Sequence, residues 1–518
     1  MPKAKRLRTA LPKDATAGQR EAFAQLVSFC TGAESGPASQ ILSGYAGTGK
    51  TWLITHLVRA CRVRRLRIAV CAPTHKAVCV IAAKLKEDGT APTWIGTLHA
   101  LLGLKLKEGP EGTMQVDLDR NPRGTYFEDY DVVVIDEASM VGLSLLSFIE
   151  RFSRGGHPRI LYVGDPGQLR PVESEAAADP DELAGLGDEG EGSRREPPIF
   201  GLVRTRHHLP EIVRQKSTGR VHPIVQFAQE VRRYIEGEID EVFHPVAIQA
   251  YVTAHSELLG GGVRLARAAE IGAGAVSLRA RRPHKDIRVV AWRNRVVDTH
   301  NRFIHRGLSS LHAIDATTEA LAAPFWPGEI LVAREALFGF RPIAHIVECD
   351  AKVWEQALAA HAGADGDQGG RRGTLTNLVA NNTELVVEAC VPMPHPYLGI
   401  ASWQIVARMP DGESVEFFVA DDARDHQELT RRTWDDYRAA RRRTAQDFQR
   451  AWAVTRACAP AMHAYAMTAH KAQGSTFHYA LVDVADLYGM VKVSGAEDYH
   501  RALYVAVTRA SERVWLCT

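Results

Sequence analysis

The sequence predicts an α/β protein built on two parallel-sheet cores, the first carrying a β-hairpin insertion and the second a β-rich one. Three observations carry that expectation. The apolar run at residues 40–43 turns through Gly44-Tyr45-Ala46-Gly47-Thr48-Gly49-Lys50-Thr51 into a helix-like run at 52–58, which is a P-loop with G-x-x-x-x-G-K-T spacing. Short apolar strands ending in small or acidic residues recur at 67–72, 132–135 and 159–163, and again at 286–292 and 479–484. Between the last two of these strands, residues 311–454 hold strand-like segments of their own, and the second group has no P-loop.

Composition sets the bounds. A chain of 518 residues is long enough for several domains, and a single hydrophobic core would be unusual at this size. Apolar residues at 45% and charged residues at 24% are ordinary for a globular protein. No apolar run approaches the ~18 residues of a membrane span, so no membrane partner is expected. Residues 1–15 read as a basic tail without the apolar segment of a secretory signal. The eight cysteines form no C-x-x-C pair, which favours neither a cysteine zinc site nor a disulfide framework and fits a reducing, cytoplasmic setting. A net charge of +2 gives nucleic acid no general attraction, so any such surface must be local.

In chain order, Thr16-Ala17-Gly18-Gln19 opens an amphipathic run with Phe23, Leu26, Val27 and Cys30 on one face. Gln19 is either the return half of a capping box with Thr16 or a glutamine reading an adenine edge, and both roles can hold in turn. In the P-loop, Gly44, Gly47 and Gly49 let backbone N–H groups turn inward around phosphate, with Thr48 between them. Lys50 reaches the β and γ phosphates, and the Thr51 hydroxyl suits Mg²⁺. Together they predict a nucleoside-triphosphate site.

The strand at 67–72 ends at Pro73-Thr74-His75, where open α/β sheets place ligands. Thr97-Leu98-His99 starts a short helix; alone, His99 reads as an ordinary histidine. Residues 104–120 alternate around Gly109-Pro110-Glu111-Gly112 as a hairpin without an aromatic tip. The strand at 132–135 delivers Asp136, suited to Mg²⁺, and Glu137, placed to deprotonate an attacking water. After the next strand, Gln168 is positioned to touch a γ-phosphate. Residues 173–197 form an acidic, glycine-rich surface loop, and 237–284 show no clear organisation. Within 311–454, a glycine-rich loop at 363–373 precedes an Arg-rich segment with Arg431, Arg432, Arg438, Arg441, Arg442, Arg443 and Arg450; its interspersed acids favour a solvated helix.

The ordered series GYAGTGKT, APTHKA, TLHALLG, DEASM, GDPGQLRPV, LPEIVRQ, TAHKAQGST and YVAVTRA resembles superfamily 1 helicases, in the 5′→3′ group that includes RecD-like and phage Dda-like enzymes. The resemblance implies two RecA-like cores, the first at 16–200 with a wedge hairpin at 104–125, the second at 201–310 and 455–518 around an SH3-like module at 311–454. It implies ATP and Mg²⁺ as cofactors, with Lys50, Asp136, Glu137 and Gln168 on one side and Arg214 and Arg509 reaching the γ-phosphate from the other. Pro73, Thr74, Thr97, His99, Thr468 and His470 fall where the family lines its single-stranded DNA track, and fork duplex DNA is the further partner implied. The alternative is a single-strand translocase or remodeller that does not part duplex. A small-molecule phosphotransferase is disfavoured, since it has no use for TAHKAQGST and YVAVTRA.

Overall fold

The computed structural model describes residues 11–12, 14–32, 38–108, 114–118, 126–153, 157–171, 197–211, 213, 221–312, 323–333, 337–340, 375–379, 383–396, 398–410, 412–440, 447, 451 and 454–518. The acidic loop at 173–197, apart from its last residue, lies outside them, as do the hairpin tip, the loop at 363–373, Arg214, Arg441, Arg442, Arg443 and Arg450.

The first core runs β1 (Ser39–Gly44), β2 (Ile68–Ala72), β3 (Trp94–Thr97), the hairpin β4 (Leu104–Glu108) and β5 (Met114–Leu118), then β6 (Val132–Ile135), β7 (Arg159–Gly164) and β8 (Arg206–Leu209). Six of these form one sheet, β3-β2-β6-β7-β1-β8, with every pairing parallel. Because side chains alternate across a strand, each strand feeds two apolar layers. Leu42, Val70, Val134 and Leu161 pack under the helices Ala17–Thr31, Lys50–Val63 and His75–Glu87. Ile41, Cys71, Val133 and Tyr162 face the opposite layer, with Leu98, Ile149 and Phe200. Burial on both faces is why the central strands β2 and β6 are wholly apolar, Ile-Ala-Val-Cys-Ala and Val-Val-Val-Ile. β8 pairs with β1, so the first sheet continues past residue 200, where the second core was expected to begin. Its sequence, Arg-His-His-Leu, lacks an apolar pattern because it is an edge strand.

The second core holds β9 (Val263–Ala266) and β10 (Ile287–Ala291) before the inserted module. The module comprises β11 (Ile330–Ala333), a separate pair β12 (Leu337–Phe340) and β13 (Leu375–Val379), then β14 (Glu384–Pro392), β15 (Ser402–Arg408), β16 (Ser414–Ala420) and β17 (Ala461–His463). The chain returns through β18 (Ala466–Thr468), β19 (Phe477–Asp483) and β20 (Ala510–Cys517) to complete the sheet β18-β10-β19-β20-β9. The stretch 237–284 therefore supplies the helices Pro245–Ala254, Ser256–Leu259 and Ile271–Arg281 and one edge strand. It escaped pattern reading because Ile271–Arg281 is rich in small residues and β9 has only four.

Residues Met1–Val297 with Met467–Thr518, which hold both cores, form one compact unit, and Asp298–Ala466 form another. The latter is an antiparallel sheet, β16-β15-β14-β11-β17, closed over Leu331, Leu385, Ile405, Ala407 and Phe417. It reaches beyond 454 because β17 pairs with β11, Leu331 opposite His463. In the helix Ala423–Ala439, Arg431 pairs with Glu428 at 2.8 Å and Asp435 at 2.9 Å, and Arg432 with Glu428 at 2.7 Å.

Candidate active site

The P-loop leaves β1 at Gly44, where a Cβ would sit 2.6 Å from the Thr48 hydroxyl and 3.1 Å from the Leu209 carbonyl. Gly49 has φ +88, and a Cβ there would sit 2.6 Å from Gln19 Nε2, so it too requires glycine. Lys50 starts the helix Lys50–Val63, and its Nζ donates to the carbonyls of Gly44 at 2.6 Å and Tyr45 at 3.1 Å. Gln19 completes a capping box: its Oε1 accepts from Thr16 N at 3.1 Å, and Gln19 N donates to the Thr16 hydroxyl at 3.2 Å. Its Nε2 also donates to the Thr48 carbonyl at 3.0 Å, which fixes the first helix to the phosphate loop.

Asp136 and Glu137 follow β6. Burial first, and then the charge of Glu137, push the Asp136 carboxyl up to about 7, although the Glu137 N–H donates to its Oδ1 at 3.0 Å. A buried acid penalised in this way is what a bound cation would relieve, so with Thr51 it fits a hard divalent ion. Glu137 sits at φ 52, ψ 42, a left-handed conformation costing of order 1 kcal/mol for a residue with a side chain. Such strain is common where a reacting group must be aimed.

The second core completes the cleft. Gln473 Nε2 donates to Gln168 Oε1 at 2.7 Å and to the Ser139 hydroxyl at 3.3 Å, both buried in the first core. Arg509 is 6% exposed, and its guanidinium donates to the carbonyls of Val505 at 3.1 Å and Ser475 at 3.3 Å and to the Thr508 hydroxyl at 3.1 Å. From the helix that Arg509 caps, Ala496–Thr508, the Tyr504 hydroxyl donates to Asp165 Oδ2 at 2.9 Å and accepts from Ala46 N of the P-loop at 3.1 Å. Burial raises the Tyr504 pKa, which keeps it a proton donor. Arg501, 1% exposed, donates to the carbonyls of Pro166 at 2.5 Å and Gln168 at 3.0 Å.

Gln19, Gly47, Gly49, Lys50, Thr51, Asp136, Glu137, Gln168, Ser475 and Arg509 line one cavity of about 570 Å³. It suits a nucleoside triphosphate: a backbone cradle and a lysine for phosphate, an acid pair beside them, and an arginine opposite. Sequence reading had not assigned Gln473, Arg501 or Tyr504. For two of them the signal was present in polar residues at i, i+3 and i+7 (Arg501, Tyr504, Thr508) within an otherwise apolar stretch, 501–508.

The other candidates lie away from this cavity. Pro73 and Thr74 follow β2, Thr97 ends β3 and Thr468 ends β18. The hydroxyls of Thr74, Thr97 and Thr468 cap the helices that follow, accepting from Ala77 N at 3.2 Å, Ala100 N at 3.2 Å and Lys471 N at 3.3 Å. Each leaves its own O–H as a donor. Burial lowers the pKa of His99, with help from His75, and of His470. His470 lines a separate cavity with Arg170, Trp292 and Asp498.

Residues 14–180 match the AAA domain family, and 463–517 match the UvrD-like helicase C-terminal domain. The RecBCD enzyme subunit RecD of Mycobacterium tuberculosis is 29% identical over 264 residues, covering 47% of this chain and 42% of that one. The ATP-dependent RecD2 DNA helicase of Deinococcus radiodurans is 32% identical over 166 residues, covering 32% of this chain and 20% of its own length. This chain thus spans less than half the length of those relatives. A solved structure of Bacteroides Pif1 bound to ssDNA aligns over 97% of this chain and 92% of that one, at 14% identity and a TM-score of 0.46. No described helix is long and apolar enough to cross a membrane.

Proposed function

We propose that the chain is a superfamily 1 helicase of the RecD-like group, which hydrolyses ATP between its two cores to move 5′→3′ along single-stranded DNA and part duplex. One observation carries the reading: Lys50, Glu137 and Gln168 of the first core share a cavity with Ser475 and Arg509 of the second. A nucleotide there touches both cores at once, so binding favours closure and hydrolysis releases it.

Lys50 would hold the β and γ phosphates, and Glu137 would take the proton of the attacking water. Thr51 and Asp136 would hold Mg²⁺, which neutralises phosphate charge when bound. Arg509 would neutralise charge on the transferring phosphoryl, an effect worth ~10³–10⁵ in rate where arginines act this way. Arg214 is assigned the same role by sequence resemblance only. Gln168, held by Gln473, would link the state of the γ-phosphate to the second core. Pro73, Thr74, Thr97 and His99 on one core, with Thr468 and His470 on the other, would grip DNA in turn, their hydroxyls donating to phosphate oxygens. The hairpin from Leu104 to Leu118 would be the wedge; opening a base-pair step costs about 1.4 kcal/mol of stacking, within reach of a powered pull.

Strand displacement from duplexes tailed at either end tests the proposal. Displacement is expected from the 5′-tailed duplex with ATP and not with a non-hydrolysable analogue. Failure on both substrates, or displacement from the 3′-tailed duplex alone, would overturn it. Deleting residues 107–115 should abolish displacement while sparing DNA-stimulated ATP hydrolysis; otherwise the wedge assignment is wrong.

A further inference from the structure

Within the unit Asp298–Ala466, three segments distant in sequence bring together His305, Glu329 and His463. His305 lies on the helix Asn294–His312, Glu329 immediately precedes β11, and His463 ends β17. One nitrogen from each imidazole and one carboxylate oxygen lie within 4.8 Å of one another. We propose that these residues form a divalent transition-metal site, with zinc as the favoured ion, unrelated to the nucleotide chemistry.

The donor set is the first argument. Two imidazoles and one carboxylate suit zinc and other borderline-soft ions better than Mg²⁺ or Ca²⁺, which favour all-oxygen sites. The spacing is the second. Glu329 Oε1 lies 2.6 Å from His463 Nδ1 and 3.5 Å from His305 Nδ1. These values bracket the about 3.3 Å expected between donors on a tetrahedral ion with bonds near 2.0 Å. A small turn of the His463 ring would exchange the shared proton for a metal.

The third argument is how the ligands are held. Glu329 is 6% exposed, and its Oε2 accepts from Trp326 N at 3.1 Å, so the carboxylate is fixed from behind while Oε1 faces the imidazoles. The buried His305 Nδ1 makes no hydrogen bond of good geometry within the described structure, although it faces Glu329. A simple ion-pair network would be expected to orient that nitrogen onto an acceptor. Trp326 stacks on His305 at 4.1 Å, and Phe325 meets His463 edge-on at 4.9 Å, which fixes both rings and limits competing water. A metal here would fasten the helix to both neighbouring strands of the module.

The test uses the untagged full-length chain, stripped with chelator and titrated with zinc alone and then cobalt alone. One tightly bound equivalent is expected, with cobalt giving the visible absorption bands of a four- or five-coordinate ion and zinc raising Tm. In Glu329→Gln and His463→Gln the bound equivalent, the bands and the Tm rise should all be lost, while ATP hydrolysis with Mg²⁺ persists. Absence of zinc uptake by the native chain would overturn the proposal without reference to any variant. Unchanged uptake in both variants would also overturn it and leave a hydrogen-bonded ion pair only.

Discussion

The two cores meet the same cavity with different chemistry. The first presents groups that phosphate itself selects: glycines at positive φ, a lysine, and two acids at a strand end. The second presents groups whose partners are largely protein. Tyr504 joins the P-loop amide of Ala46 to Asp165, Arg501 holds the carbonyls beside Gln168, and Gln473 holds Gln168 itself. Arg509 is the exception, lining the cavity while its nitrogens rest on carbonyls and a hydroxyl of its own core. On the proposed reading, one core binds the nucleotide and the other registers that it is bound. The contrast teaches that loss of chemistry and loss of coupling should separate by core.

The largest effects should come from the first core. Lys50→Ala is expected to abolish ATP turnover together with tight nucleotide binding. Glu137→Gln should slow turnover by ~10²–10⁴ while a fluorescent ATP analogue still binds. Equal loss of binding in the two variants would erase the distinction between cradle and base.

A smaller effect is expected from Tyr504→Phe, which removes one hydroxyl and leaves the buried Asp165 Oδ2 and Ala46 N short of a partner. The cost should be about 1–3 kcal/mol, read by denaturant unfolding. DNA-stimulated turnover should fall more than basal turnover, and an equal fall would argue against a coupling role. The smallest effect belongs to Thr16→Ala, which breaks the capping box at the first helix for about 1 kcal/mol in thermal unfolding. It should change turnover little, because Gln19 keeps its own bond to Thr48. A large loss of turnover would mean that the cap itself aims the phosphate loop.

The same contrast explains what could be read from sequence. Gly44 to Thr51, Asp136 and Glu137 were legible because phosphate binding demands fixed residue types at fixed spacing after apolar strands. Gln19 was readable as a cap because Thr16 stands three residues before it. Gln473, Arg501 and Tyr504 were not assigned, since their partners lie more than three hundred residues away and any donor of suitable length serves. The edge strands β8 and β9 were missed for a related reason: with only one neighbour, they carry weak apolar patterns. The His305, Glu329 and His463 group has no spacing signature at all, because three separate segments supply it.

The shared cavity is tested most directly by Arg509→Ala, with nucleotide affinity and turnover measured on the same preparation. The account predicts affinity within several-fold of the native chain and turnover lower by ~10³ or more, because the arginine acts on charge that develops only during transfer. Turnover at the native rate would contradict it and leave the first core to hydrolyse ATP alone.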